Sequence, residues 1–232
     1  MSNMMTAAPS AERPAAAAAP EKPVERGRRA LLRQLRPAIL LTILLTIIAG
    51  IIYPLAVMGV GQGLFPSQAN GSLVYANGKP IGSSLIGQYW TQPQYFHGRP
   101  SVTNNLQGTP SPYEADNSAG SNLGPTNATL TQTVAQRIAE LKKENPDVPP
   151  GTPIPVDLVT ASASGLDPDI SVAAAYYQIP RIAKARGMSQ AAVRATVDDH
   201  ITGRFLGLFG EPVVNVLDVN LALDNIKTTN GA

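Results

Sequence analysis

A long stretch without charge near the N-terminus constrains this chain more than any other feature. No charged residue occurs from Pro37 to Gly78, and within that window Ala38–Val60 is an apolar run of 23 residues. A helix of this length spans about 35 Å, enough to cross a hydrocarbon core of about 30 Å. Its 13 Ile, Leu and Val residues favour membrane insertion by about 4 to 8 kcal/mol. We therefore predict a transmembrane helix over residues 37–62.

A cleaved signal peptide is the competing interpretation of the same segment. Signal peptides have an apolar region of about 7–15 residues behind a short basic start. Here the apolar run is longer and follows 37 residues of other composition. We favour a permanent anchor, in which Pro54 should kink the helix or end its regular part near Gly50–Tyr53.

Basic residues lie on one side of the apolar run. The first charged residue after it is Lys79, whereas five arginines lie within eleven residues before it: Arg26, Arg28, Arg29, Arg33 and Arg36. The positive-inside rule then places the N-terminus in the cytoplasm and the main domain outside. Residues 1–36 form a basic cytoplasmic tail in this interpretation, and its Ala/Pro-rich start is predicted to be disordered. The protein is thus expected in the plasma (inner) membrane as a single-pass protein.

Residues 66–232 are long enough for one extracytoplasmic domain with its own core. The pair Asn77-Gly78 predicts a β-hairpin, and residues 91–128 look irregular because they are rich in Pro, Gly, Asn and Ser. Helical periodicity and cap residues predict four helices. They run over about 130–144, 172–186, 190–202 and 219–226, and their caps are Thr129, Ser171, Ser189 and Asp218. Strands are predicted at Val156–Ala161 and Val213–Val216. This mixture indicates a mixed α+β domain.

Several classes of function are disfavoured by what the sequence lacks. There is no cysteine, and the two histidines, His97 and His200, cannot build a three-histidine metal site. No phosphate loop, dinucleotide fingerprint, HExxH or GxSxG motif occurs. The residues after the membrane segment carry slightly more acid than base, which disfavours nucleic-acid binding. We predict no catalytic residues and no metal site.

Three groups of residues remain as candidates. Asp167 and Asp169, with Ser162, Ser164 and Ser171 nearby, suggest cation binding or acid/base chemistry, but a turn before the next helix is the favoured interpretation. The cluster of Tyr95, Phe96, His97 and Arg99 suggests a local core or a partner interface. The run Gly120–Asn127 suggests an anion-binding nest of backbone N–H groups or a rigid loop against a neighbour, and its candidate contacts are Ser121, Asn122, Gly124, Pro125 and Asn127.

Over residues 35–226 the sequence resembles the C subunit of the bacterial Kdp potassium-transporting ATPase, the KdpC family. Shared motifs occur in the right order along the chain: Arg36-Pro37-Ala38, Tyr53-Pro54-Leu55, Asn77-Gly78-Lys79, Leu85-Ile86-Gly87-Gln88, Tyr95–Ser101, Gly120–Asn127, Ser162–Pro168, Tyr177–Arg181, Pro212–Val216 and Asn220–Asp224. Asp169 departs from the pattern, since relatives often have His or Asn there.

The resemblance implies a non-catalytic accessory subunit of a high-affinity, ATP-driven potassium uptake complex. It would assemble or stabilise a channel-like potassium-binding subunit and a P-type ATPase subunit that carries the catalytic aspartate. Potassium would be the ion transported by the complex, and membrane lipid a further partner. The chain would bind no cofactor firmly.

For this family, a role as a catalytic chaperone that raises ATP affinity in a ternary complex is also implied, and Gln178 is the candidate nucleotide contact by position. This role conflicts with an extracytoplasmic domain, which cytosolic ATP cannot reach. A domain above the outer mouth of the channel-like subunit is the hypothesis that agrees with the charge distribution. The alternatives from other classes are an anchored extracytoplasmic hydrolase that uses Ser164 or Asp167, and an anchored binding protein.

Overall fold

The computed structural model describes residues 27–226 and 228–230. The predicted disorder of the Ala/Pro-rich tail falls on residues that lie outside this range. The chain divides into two compact units, of which the first ends at Ala56 and the second begins at Val57.

A long apolar helical stretch precedes the sheets of the chain. It consists of α1 (Arg28–Ile47), a π-helical turn (Ile48–Ile52) and α2 (Tyr53–Leu64). The 33 residues from Leu32 to Leu64 contain an 18-residue window with a mean hydropathy of 2.5, so the stretch is long and apolar enough to cross a membrane. The helix begins nine residues before the predicted segment and continues two residues beyond it.

The π-helical turn lies where the sequence predicted an irregularity. Pro54 has no N–H for the carbonyl of Gly50, and its ring would clash with a regular helical turn before it. A wider π turn immediately before Pro54 accommodates both effects without ending the helix. The prediction that the regular part of the helix ends near Gly50–Tyr53 is therefore confirmed.

After the short helix α3 (Pro66–Ala69), an antiparallel hairpin of β1 (Leu73–Ala76) and β2 (Lys79–Ser83) follows. Asn77 and Gly78 at its tip have φ angles of 52° and 74°, the conformation that tight hairpins require. Strand β6 (Thr228–Asn230) pairs with β1, so this sheet has the order β2-β1-β6. The predicted hairpin is confirmed.

Residues 84–127 run irregularly to α4 (Ala128–Glu144), as predicted for most of this segment. A second antiparallel sheet follows in the order β3-β5-β4, built from β3 (Asp169–Ser171), β4 (Ile201–Thr202) and β5 (Val213–Asn215). Helices α5 (Val172–Arg186), α6 (Gln190–Asp198) and α7 (Val216–Leu223) complete the domain. The mixed α+β class is thus confirmed.

Helix α7 contributes to two separate apolar clusters. Val216, Val219 and Leu223 belong to the main core around α5, which also contains Phe96. Leu217, on the other side of α7, packs in a smaller cluster with the first sheet. Six of the eight residues of α7 are buried, and Asp218 is its exposed residue, so both faces that carry these apolar side chains are covered.

Four local predictions were wrong. The predicted strand Val156–Ala161 is instead a 3-10 turn over Val156–Leu158 that follows Pro155. The helix predicted over 190–202 ends at Asp198, because Ile201 and Thr202 pair with β5. The two others are helix caps: Asn127 caps α4 in place of Thr129, and Asn215 caps α7 in place of Asp218. Asn215 accepts from the N–H groups of Leu217 and Asp218, so α7 begins three residues earlier than predicted.

Candidate functional site

Two buried side-chain amides hold consecutive residues of the irregular segment before α4. Asn220 of α7 accepts from the Phe96 N–H at 2.8 Å and donates to the Phe96 carbonyl at 3.0 Å. Gln178 of α5 accepts from the His97 N–H at 2.8 Å and donates to the His97 carbonyl at 3.1 Å. Each amide therefore pairs with both backbone groups of one residue, as a neighbouring strand would. Phe96, fully buried, is fixed in the main core by this arrangement.

Arg181 extends the same network one helical turn further along α5. Its guanidinium donates to Gln178 Oε1 at 2.7 Å, to the carbonyls of Pro93 and Tyr95 at 2.6 and 3.0 Å, and to Asn145 Oδ1 at 3.1 Å. All these partners are neutral. Burial lowers the pKa of Arg181 to about 10, and the nearby Glu144 carboxylate opposes that shift.

The amide of Gln178 has no hydrogen-bonding capacity left for a ligand. Its oxygen accepts from His97 and Arg181, and its nitrogen donates to the His97 carbonyl and, at 3.3 Å, to the Ala174 carbonyl. An amide offers two lone pairs and two N–H bonds, and all four are used. Gln178 is also only 1% exposed. The structure thus places the candidate nucleotide residue inside the domain core.

Beside this network lies an open cleft of about 270 Å³. Its walls carry aromatic, basic and acidic side chains, namely Tyr89, Trp90, His97, Arg99, Tyr113, Arg137, Glu140 and Glu144. On one wall, His97 Nδ1 lies 3.5 Å from Glu144 Oε2. The hydrogen bond from His97 is the main cause that lowers the pKa of Glu144, against an opposing effect of burial.

Arg99 is paired with one of the two residues proposed for hydrolase chemistry. Its Nη1 donates to Asp167 Oδ2 at 3.0 Å, and the Tyr113 hydroxyl donates to the Arg99 carbonyl at 2.7 Å. Burial, followed by the charge of Asp167, raises the pKa of Tyr113 well above its usual range. The Tyr113 ring packs so closely on Gly98 that a β-carbon there would lie 2.4 Å from the phenolic oxygen. Asp167 therefore holds the Arg99 side chain, and Tyr113 holds the backbone around it.

The hydrolase interpretation gains no support from this geometry. Ser164 Oγ accepts from the Leu166 N–H at 3.1 Å, and Asp167 is engaged by Arg99. The ring of His97 contacts Glu144 and the Gln92 carbonyl, and that of His200 contacts the Thr196 carbonyl. Among the described residues no cluster of three His, Asp or Glu side chains could hold a metal ion.

The third group of candidates, in the run Gly120–Asn127, forms a separate, exposed surface. Ser121, Asn122, Gly124, Pro125 and Asn127 are all exposed, and Asn122 has a φ angle of 52°. At the start of this run, Gly120 lies so close to the Ala163 carbonyl that a β-carbon would be 2.6 Å from its oxygen. Asn127 caps α4 by accepting from the Thr129 N–H at 2.8 Å. The structure thus shows a loop held at both ends, with its middle exposed.

The sequence analysis singled out Tyr95–Arg99 and Gln178 separately, and the structure brings them together. The sequence analysis did not identify Asn220 or Arg181 as partners of this segment. An amide inside the apolar run Val216–Leu223 was the available signal for Asn220, because buried polar groups need partners. The exposed apolar loop Phe205–Phe209 was missed as well, although its alternation of Phe, Leu and Gly is visible in the sequence.

Comparison with known proteins gives a consistent result. The family described as "KdpC: K+-transporting ATPase, c chain" matches residues 35–225. The chain is 52% identical to the potassium-transporting ATPase KdpC subunit of Rhodopseudomonas palustris (strain BisB18) over 203 residues, which cover 85% of this chain and 100% of the relative. It is 53% identical to the KdpC subunit of Methylorubrum extorquens over 199 residues, covering 83% and 97% respectively.

Proposed function

Because this chain belongs to the KdpC family of K+-transporting ATPase c chains, we propose that it is a non-catalytic accessory subunit that assembles and stabilises a potassium uptake complex. Its partners would be a channel-like, potassium-binding subunit and a P-type ATPase subunit with the catalytic aspartate. The observation that carries this proposal is the use of the buried Gln178, Arg181 and Asn220 side chains. All three bind the chain's own backbone or side chains, which supports a structural use of these residues instead of a catalytic one.

The apolar stretch Leu32–Leu64 would anchor the subunit in the plasma membrane. The arginines before it and the absence of charge up to Lys79 support a cytoplasmic N-terminus and an extracytoplasmic domain. In that position the domain would lie above the outer mouth of the channel-like subunit and shape the potassium entrance. The exposed loop Ser121–Asn127 and the cleft beside Arg99 are the proposed contact surfaces.

A role in ATP affinity is proposed only as an indirect one. The prediction that Gln178 contacts a nucleotide stays a prediction, and the four hydrogen bonds of its amide support a structural role instead. An extracytoplasmic domain could affect ATP affinity only through the membrane segment and the partner subunits.

Sidedness is the first experiment, and the absence of native cysteine makes it direct. Leu106→Cys places a thiol on a loop residue that is 76% exposed, and Val74→Cys places one where the side chain is 2% exposed. In intact spheroplasts, a membrane-impermeant maleimide should label the first variant, and the second only after denaturation. Labelling of Leu106→Cys only after lysis would contradict the proposed orientation.

Assembly is tested separately by co-production of the tagged full chain with the other subunits of the transporter. We expect the chain to stay bound to both large subunits through detergent purification. A chain that elutes alone, while potassium-dependent ATPase activity of the remaining subunits is unchanged, would overturn the proposed function.

A further inference from the structure

A strongly apolar loop projects from the second sheet between β4 and β5. We call Phe205–Phe209 the apolar tip. Its large side chains are exposed to a degree unusual for such residues: Phe205 71%, Leu206 75%, Leu208 75% and Phe209 63%. Contiguous exposed apolar side chains of this size are a mark of interaction sites on protein surfaces.

The apolar tip is a preformed structure. The Phe205 N–H donates to the Phe209 carbonyl at 2.8 Å, and the Phe209 N–H donates to the Phe205 carbonyl at 3.0 Å. At its base, Arg204 Nη2 lies 2.7 Å from Glu211 Oε2. Leu206 holds a φ angle of 54°, which costs free energy for a residue with a side chain. A loop that keeps a strained, hydrogen-bonded shape suits a partner of complementary shape, because little ordering remains to be done on binding.

The surroundings of the apolar tip favour a protein over a lipid surface. The segment from Asp198 to Glu211 carries three carboxylates and a single guanidinium, which is paired with Glu211. Segments that lie in a bilayer interface are instead rich in Lys and Arg, which attract anionic lipids. The apolar tip has apolar side chains at its centre and the Arg204–Glu211 ion pair at its edge. Protein interfaces have the same arrangement of an apolar core and a polar rim.

We propose that the apolar tip is an anchor that inserts into a concave, apolar pocket on another subunit of the transport complex. This proposal rests on the proposed function and adds a defined contact to it. Leu206 and Leu208, the two most exposed side chains of the apolar tip, would fill the pocket. The Arg204–Glu211 pair would lie at its edge.

Photo-crosslinking in the assembled complex tests the contact directly. Benzoylphenylalanine replaces Leu208 in the full chain, and Leu106, which is 76% exposed on another loop, serves as the matched control position. On irradiation of the purified complex, the probe at 208 should form an adduct with one other subunit, and mass spectrometry should map it to apolar residues. Equal yields at both positions, adducts with lipid only, or no adduct would overturn the proposal.

A double substitution tests whether the contact matters for assembly. Leu206→Asn with Leu208→Asn removes the apolar side chains, and Asn tolerates the left-handed conformation at 206 better than Leu does. We expect retention of the chain in the complex to fall about tenfold or more, while thermal unfolding of the free chain, followed by Trp90 fluorescence, is unchanged. If the variant stays in the complex as well as the wild-type chain does, the proposed contact is contradicted but the proposed function is not. If the wild-type chain itself is not retained in the complex, the proposed function is contradicted.

Discussion

The side-chain amide of Gln178 binds both backbone groups of His97, at 2.8 and 3.1 Å, across 81 residues of sequence. A helix side chain here replaces the neighbouring strand that an extended segment would otherwise need. Gln178 also accepts from Arg181, so one buried amide joins α5 to the irregular segment on its surface.

Replacing Gln178 should destabilise the domain without any ligand being involved. Gln178→Ala leaves the His97 N–H, the His97 carbonyl and one Arg181 donor without their partner. Since a buried unsatisfied group costs about 1–3 kcal/mol, we expect a loss of about 2–4 kcal/mol in the free energy of unfolding. Urea titration of the full chain in detergent micelles, followed by Trp90 fluorescence, measures it. Gln190→Ala, at the exposed start of α6, is the matched control, and equal midpoints for both variants would contradict this role.

The amides of Gln178 and Asn220 should be energetically coupled. They hold His97 and Phe96, which are adjacent, so release of one residue loosens the other. In a double-mutant cycle, Gln178→Ala with Asn220→Ala should cost less than the sum of the single changes, by about 0.5–3 kcal/mol. Strict additivity of the unfolding free energies would show that the two amides act independently.

Gly98 should not accept a side chain. A β-carbon at this position would lie 2.4 Å from the phenolic oxygen of Tyr113. A β-carbon at Gly203 would have no heavy atom of a non-neighbouring residue within 4 Å. We expect Gly98→Ala to lower the free energy of unfolding by about 1–3 kcal/mol through overpacking, and Gly203→Ala to change it little. Adding Tyr113→Phe to Gly98→Ala removes the clashing oxygen and should recover part of the loss. A melting temperature of Gly98→Ala equal to that of Gly203→Ala would contradict the packing.

Glu144 should stabilise the domain at neutral pH and cease to do so in acid. Its pKa is held below the usual 4.5, chiefly by the hydrogen bond from His97. A carboxyl group with a lowered pKa in the folded state stabilises above its unfolded pKa, and the effect is lost as the pH falls through the folded value. The melting temperature of Glu144→Gln should therefore lie below that of the wild type at pH 7, and the difference should close below pH 4.5. A difference that is constant with pH would exclude an ionic contribution.

Asp169, unlike Glu144, should destabilise the domain at neutral pH. Burial, and then the charge of Asp167, raise its pKa above 3.8, against the hydrogen bond from Asn215. The ionised form is therefore disfavoured by folding. Asp169→Asn keeps an oxygen for Asn215 Nδ2, which lies 3.1 Å away, and removes the charge. It should melt above the wild type at pH 7, and the gap should close as the pH falls towards 3.8. If Asp169→Asn melted below the wild type at pH 7, burial of the Asp169 charge would not be destabilising, and this explanation of its raised pKa would be contradicted.

Local signals in the sequence predicted the helices and the hairpin well, because periodicity and turn residues act over a few positions. Pro54 predicted an irregularity near Gly50–Tyr53, although not its π-helical form, and Asn77-Gly78 predicted the tip of the hairpin. The caps at Thr129 and Asp218 were wrong because Asn127 and Asn215 offered an earlier cap with an equally suitable side chain. The strand expected at Val156 was wrong because β propensity competes with turn formation after proline.

The candidate site was harder to predict because its contacts are long-range. Phe96 and Asn220 are 124 residues apart in the sequence, and Tyr95 and Asp224 are 129 residues apart. Nothing in the spacing of these residues along the chain indicates such pairs. The sequence resemblance identified the segments involved, but only the structure shows that Gln178 is directed into the core.

The position of α7 between the two apolar clusters has a consequence for how the domain unfolds. Val219 on one side and Leu217 on the other cannot leave their clusters separately, because eight residues of one short helix carry both. The two small sheets therefore share a single cooperative unit. Slowly exchanging amide protons in both sheets should become accessible together, and only through events that expose α7.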